Sequence, residues 1–278
     1  MRLWDVNPES WLKQLCDIAN RNLSQKEWRE YMGEQGPFEK TCPDLPQDTL
    51  GALQHIKQGE KLAKEGKVEA AVKEFKEAHK LDARYMTVEP QIKAKQFFVK
   101  GLVEQGKKLA REGKITEAVG KYQEAQQMDS NLKFDPETKA KQFFAKGLVE
   151  QGKKLAREGK ITEAIGKYQE AQQMDSELII SAEQWNALCW NGSLYGQAAK
   201  VMDACEKAVA LAPKNRGIRD SRALARALTD NIQGAIEDYQ FAIEKSDQEE
   251  YKSKAQGWLD ALQKGENPFS EEVLKGMR

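Results

Sequence analysis

The stretch GLVEQGKKLAREGK occurs twice, at Gly101–Lys114 and again at Gly147–Lys160. Each copy opens with the spacing G-x-x-x-x-G-K, the outline of a phosphate-binding loop. Such a loop needs free backbone N–H groups between a strand and a helix. Here the glycines fall inside a helical pattern, and no strand-like run precedes them. The Ser or Thr that would hold Mg2+ is replaced by Lys108 in one copy and Lys154 in the other. The spacing therefore reads as helix packing rather than nucleotide binding, and the repeat around it decides the fold.

Ala94–Ser130 and Ala140–Ser176 align without a gap at a period of 46 and differ only at Val99/Ala145 and Val119/Ile165. A looser copy, His55–Asp82, precedes them. Within each copy small and apolar residues recur at three- and four-residue steps (Phe97, Phe98, Gly101, Leu102, Gly106, Leu109), which marks one face of a helix. Glu112-Gly113-Lys114 then breaks the pattern at a glycine. A second periodic run follows through Ile115, Ala118, Val119, Tyr122, Ala125 and Met128. The unit is helix, turn, helix.

This pattern resembles the tetratricopeptide repeat. Gly59, Gly106 and Gly152 stand at the small position of the first helix. Ala71, Ala118 and Ala164 follow, then the aromatics Phe75, Tyr122 and Tyr168 and the second alanines Ala78, Ala125 and Ala171. Two diverged units match through Trp185, Leu188, Cys189, Cys205, Ala208 and Pro213, and through Ala223, Ala235, Tyr239 and Ala242. The resemblance implies an all-α solenoid of five units, at about 50–84, 90–131, 136–177, 182–214 and 217–247. Within the repeat region 49–248, the first three units have periods near 46 against the family's 34. The excess precedes the first helix, where Asp135-Pro136-Glu137 offers an N-cap, a proline at the first helical position and a first-turn acid. Elongated first helices are expected, with Phe97, Phe98, Phe143 and Phe144 holding the extensions to neighbours.

In that family the first helices line the binding face. The positions expected there are Lys64, Lys100, Val103, Lys107, Arg111, Lys146, Val149, Lys153 and Arg157, with Trp190 and Leu194 turning the face apolar farther on. A basic stripe of this kind suits an acidic peptide or a C-terminal carboxylate. The same cations also read as solvated partners of Glu104, Glu112, Glu150 and Glu158.

The chain has 278 residues with 44 basic and 44 acidic side chains, so no net charge steers it toward nucleic acid or a membrane surface. No apolar run is long enough to span a bilayer, and the N-terminus lacks a secretory signal. A cytoplasmic setting is the expectation. The four cysteines form no C-x-x-C pair and, with only His55 and His79 beside them, no metal pattern. Cys16 and Cys42 are expected as neighbouring thiols, and Cys189 and Cys205 as small core residues. No nucleophile–base constellation stands out, and neither a cofactor nor an enzymatic activity is expected.

Residues 1–48 are not repeat-like. Asn7-Pro8-Glu9 starts one helix, and Ser24-Gln-Lys-Glu27 is a capping box for a second. The segment resembles the tail that follows WD40 repeats in bacterial signalling proteins of the cyanobacterial type, some carrying STAND nucleotide switches. Residues 249–278 read as capping helices. The expectation is a non-catalytic module that binds a protein or peptide partner, or another copy of itself, within a signalling or defence assembly. The alternative is a regulatory segment that docks on a WD40–NTPase core through apolar surface around Trp4, Trp11 and Trp28, with no outside ligand.

Overall fold

The structure is a computed structural model, and it describes residues 7–19, 21–32, 40–43, 45 and 48–278. Among these residues there are fourteen α-helices, one short 3-10 turn at Ala83–Tyr85 and no strand. The fold is all-α, built of helix–turn–helix pairs of the tetratricopeptide kind. The chain forms two compact units, Met1–Gly106 with Ala118–Phe134, and Lys107–Glu117 with Asp135–Arg278.

In the first unit, α1 (Pro8–Ala19) and α2 (Gln25–Met32) precede the pair α3 (Thr49–Lys64) and α4 (Val68–Leu81). Helix α2 starts on the expected capping box. The Ser24 hydroxyl accepts from Glu27 N at 3.2 Å, and the Glu27 carboxylate accepts from Ser24 N at 2.9 Å. Arg21 grips that carboxylate with two bonds of 2.7 Å. The arginine, followed by the Ser24 donors, pulls the Glu27 carboxyl down to about 2. Cys16 and Cys42 are bonded as a disulfide, contrary to the expectation of two thiols. Buried Asn22 fastens the same loop, donating to the carbonyls of Cys42 and Leu45 at 3.0 Å each.

Helices α5 (Pro90–Arg111) and α7 (Pro136–Arg157) are each 22 residues long, against 16 for α3. Asp135 caps α7, accepting from Thr138 N at 2.7 Å, with Pro136 in the first turn. Each elongated helix ends at a glycine in the left-handed region, Gly113 at φ 85° and Gly159 at φ 78°. The second helices α6 (Ile115–Met128) and α8 (Ile161–Met174) follow.

One contact recurs through the pairs. A Cβ placed on Gly59, Gly106 or Gly152 would lie 2.8, 2.6 or 2.7 Å from the ring of Phe75, Tyr122 or Tyr168. The missing side chain is what lets each second helix press its aromatic ring against the first. In the next pair, α9 (Ala182–Leu194) and α10 (Ala198–Leu211), the same two positions hold Cys189 and Cys205. They are fully buried and bonded to each other, 16 residues apart like each glycine–ring pair. A covalent bond therefore replaces the glycine–ring contact. The sequence reading of two small core residues is corrected to that extent.

The second unit continues through α11 (Arg216–Ala227), α12 (Ile232–Glu244), α13 (Glu249–Gln263) and α14 (Glu271–Gly276). Ser181 and Gln184 close a capping box on α9 in both directions, at 3.3 and 2.9 Å. A core of Leu224, Tyr239, Leu259, Leu262, Phe269 and Leu274 ends the unit. No helix among the described residues is long and apolar enough to cross a membrane.

Candidate functional site

The expected packing and binding residues separate into three groups once placed. The repeat-packing residues form the interior. Ala71, Phe75, Ala78, Ala118, Tyr122, Ala125, Ala164, Tyr168, Ala171, Trp185, Leu188, Ala208, Ala223, Ala235, Tyr239 and Ala242 are all buried, whereas Pro213 is exposed. Val149 and Leu194, expected on the open face, are buried to 1% and 2% exposure and belong to the core instead. Val149 joins the cluster of Ala145, Trp185 and Leu188, because α9 packs on α7. Leu194 joins Leu224 and Leu262, and its carbonyl accepts from Arg278 Nη2 at 2.8 Å as the C-terminus folds back on α9. Trp190 is half-buried against the same cluster. No apolar extension of the face opens there.

The charged positions remain at the surface. In the first unit, Lys64 is paired with Glu104 at 3.6 Å, Lys100 lies 6.0 Å from the centroid of the Phe97 ring, and Val103 is half-buried. Phe97 leans on Phe75 at 6.2 Å, while Phe98 packs with Val99 and Leu102. The acid Glu60 and the Lys64–Glu104 pair leave this part of the face nearly balanced in charge.

The second unit repeats the geometry with a different result. Lys107 occupies the repeat position of Glu60, and Arg111 that of Lys64. Phe143 lies beneath three cations: Lys107 Nζ at 5.4 Å, Arg111 Cζ at 5.6 Å and Lys146 Nζ at 5.2 Å from its ring centroid. Glu150, the counterpart of Glu104, is turned instead to Gln184 of α9, whose Nε2 donates at 3.2 Å. Arg111 is thereby left without the carboxylate that Lys64 has. Neither it, Lys107 nor Lys146 makes an ion pair among the described residues. Lys139, one turn before Phe143, is held below the ordinary lysine range by burial and by repulsion from Lys107 and Lys146. An open cleft adjoins this cluster, lined by Arg111, Lys146, Glu150, Gln151, Lys154 and Gln184. Lys153 is half-buried and Arg157 exposed on the same helix.

A second charged cluster was not legible as such in the sequence. Asp238 of α12 is fully buried beneath three arginines of α11. Arg222 reaches it with Nε at 2.7 Å and Nη2 at 2.8 Å, Arg226 Nη1 at 2.9 Å and Arg219 Nη1 at 3.2 Å. Glu206 closes the network, accepting from Arg222 at 2.6 Å and Arg226 at 2.9 Å. Burial pushes the Glu206 carboxyl up, but the hydrogen bonds from the two arginines outweigh it and hold the group below the usual range. The available signal was arginine at steps of three and four, facing an acid on the next helix. Nearby, Tyr251 donates to Asp220, a carboxyl that burial pushes upward. Three arginines share the two carboxylates of Asp238 and Glu206, so every charged group of the network has a partner inside it and its chemistry is structural. His55 is also committed, with Nδ1 2.6 Å from Glu74. No group of His, Cys, Asp and Glu able to hold a metal occurs among the described residues.

No family model matches the chain, and no curated protein matches it. Similar solved structures include the P58(IPK) TPR domain, 19% identical with a TM-score of 0.42, covering 77% of this chain and 56% of that one. The MamA protein is 19% identical with a TM-score of 0.31, covering 73% of this chain and 94% of its own. Yeast Tom70 is 16% identical with a TM-score of 0.34, covering 97% of this chain and 49% of its own. The chain thus spans little more than half the length of the first and about half that of the third.

Proposed function

We propose that the chain is a non-catalytic protein-interaction module that holds a partner on the first-helix face of its repeats. One observation carries this reading. Lys107, Arg111 and Lys146 are gathered over Phe143 without a carboxylate partner, whereas each arginine of the α11–α12 cluster is paired with Asp238 or Glu206. Surface cations kept unpaired are free to meet a ligand's charge. A net charge of zero argues against nucleic acid, which needs a basic excess to displace counterions. Within this proposal the partner is a protein or peptide with acidic character, and the signalling context is the one that residues 1–48 resemble.

The test is affinity capture with the intact chain and with a variant carrying Lys107→Glu, Arg111→Glu, Lys153→Glu and Arg157→Glu. A partner held by the first and lost by the second, with helix content unchanged, is the expected result. Equal capture by both would remove the first-helix face from the account.

A second reading, docking onto a larger assembly, has its own support. Helix α1 exposes Trp11, Leu15 and Ile18 on one side at 49%, 62% and 82%. Trp4 lies outside the described residues, and Trp28 is half-buried. Deleting α1 separates the two readings, since capture through the repeats survives it. The cytoplasmic setting is also a proposal, and the two disulfides bear on it. Thiol counting on the protein as isolated from its source decides: free thiols belong to a reducing compartment, and none to an oxidising one.

A further inference from the structure

We infer that residues 270–278 form a displaceable strap on the first-helix face. Helix α14 and Arg278 close a slot at the end of α9. The slot takes a partner segment of the same chemistry, an apolar side chain followed four residues later by a basic one, as Leu274 is followed by Arg278. This inference goes beyond the interaction reading above, because the strap is tested without an outside partner and does not involve the Phe143 cations.

Leu194 in α9 stands at the repeat position of Arg111 in α5 and Arg157 in α7, both of which are exposed. Leu194 is buried, and its cover comes from far along the chain. Leu274 of α14 packs in one cluster with Leu194 and Leu224, with Val273 and Met277 against it. Arg278 donates to the Leu194 carbonyl with Nε at 3.2 Å and Nη2 at 2.8 Å. Its guanidinium lies 4.5 Å from the centroid of the Tyr195 ring. The stack is already closed by α13, which packs on α12, so the strap serves a different place from that end cap.

The last carbonyls of a helix have no partner within it. In earlier pairs a side chain from a later first helix serves this one. Gln105 Nε2 in α5 donates to the Lys64 carbonyl at 3.2 Å, and the Tyr195 hydroxyl at the end of α9 donates to that of Arg157 at 2.9 Å. The equivalent of Tyr195 in the next pair is Thr229, 34 positions on, whose hydroxyl turns to the Ala225 carbonyl of its own helix at 2.9 Å. The Leu194 carbonyl is left to Arg278. A guanidinium from outside the repeats fills a place that the repeats elsewhere fill themselves.

Helix α14 has six residues, too few for a stable helix away from its seat. Leu274 alone among them is buried, while Val273 and, beyond the helix, Met277 are half-buried. Phe269 is the fixed point before it, buried against Tyr239 and Trp258 with ring centroids 6.1 and 5.3 Å apart. A segment with so few buried apolar contacts opens at far lower cost than the helices beneath it. Opening bares Leu194 and Trp190, with the Leu194 carbonyl as an acceptor at the rim. An apolar side chain entering the slot and a Lys or Arg reaching that carbonyl reproduce what the strap supplies.

Hydrogen exchange of the full chain, read by mass spectrometry, tests the strap without any ligand. Residues 270–278 are expected to exchange at least about tenfold faster than α13. Arg278→Ala should speed them at least about tenfold further and leave α13 unchanged. Calorimetric titration with a capped peptide of residues 270–278 then tests the slot. The intact chain should bind it at least about tenfold more weakly than a full-length Leu274→Asp, Arg278→Ala chain, whose slot is open. The peptide carrying the same two substitutions should bind neither chain. Protection of residues 270–278 equal to that of α13 would make the segment a fixed part of the fold and overturn the strap. No binding at millimolar peptide to the open-slot chain with its α13 still protected, or equal affinity for both chains, would overturn the slot.

Discussion

Replacing Asp238 by alanine should destabilise the second unit by about 3–5 kcal/mol, more than any other single charge change in the chain. The carboxylate is fully buried and receives bonds from Arg219, Arg222 and Arg226 at once. Its removal leaves three guanidinium groups held together with only Glu206 to balance them. The cost is that of stranding buried charge, which exceeds what the intact network contributes over apolar packing. Exposed pairs behave differently. Lys121→Ala, which breaks a surface pair with Glu124, should cost no more than about 1 kcal/mol. Denaturant melts followed by circular dichroism give both numbers. An Asp238→Ala variant as stable as the wild type would mean that water reaches the network and the burial argument is wrong.

The second large effect concerns a glycine of the stretch that imitates a phosphate-binding loop. A Cβ on Gly147 would lie 2.6 Å from the carbonyl oxygen of Arg111 and 2.9 Å from its Cα. These are backbone atoms of α5, so no rotamer change can make room. Gly147→Val should force α5 and α7 apart and cost about 3 kcal/mol or more. Gly166, on the exposed side of α8, has nothing within 4 Å of its Cβ position. There Gly166→Ala should stabilise by about 0.5–1 kcal/mol through helix propensity alone. Opposite signs at two glycines of one unit separate packing from propensity. Thermal melts that place both variants on the same side of wild type would contradict the packing role assigned to Gly147.

That imitation also shows what the sequence could convey. Period, helix faces and starts follow from residues a few positions apart, and Asp135, Ser181 and Ser270 cap their helices as local rules dictate. The Cys189–Cys205 bond was within reach too. Both residues stand at the 16-residue offset where every other unit places a small residue against a ring. What did not follow depends on which element comes to lie on a residue. Val103 and Val149 are the same position of two nearly identical copies, yet α9 buries the second. Leu194 is covered by chain that returns from the C-terminus, 84 residues on. The Phe143 cluster lay between these cases. Its basic residues were visible as a stripe, but the diversion of Glu150 to Gln184 was not.

The central claim is that unpaired cations on the first helices hold an acidic partner. Zero-length carbodiimide coupling of the captured complex tests it most directly, since it joins only carboxylates and amines already in contact. The account predicts that the partner's Asp and Glu residues become linked to Lys107, Lys146 and Lys153. Links confined to second-helix lysines such as Lys121 and Lys167, or to Lys13 and Lys26 in α1 and α2, would contradict it.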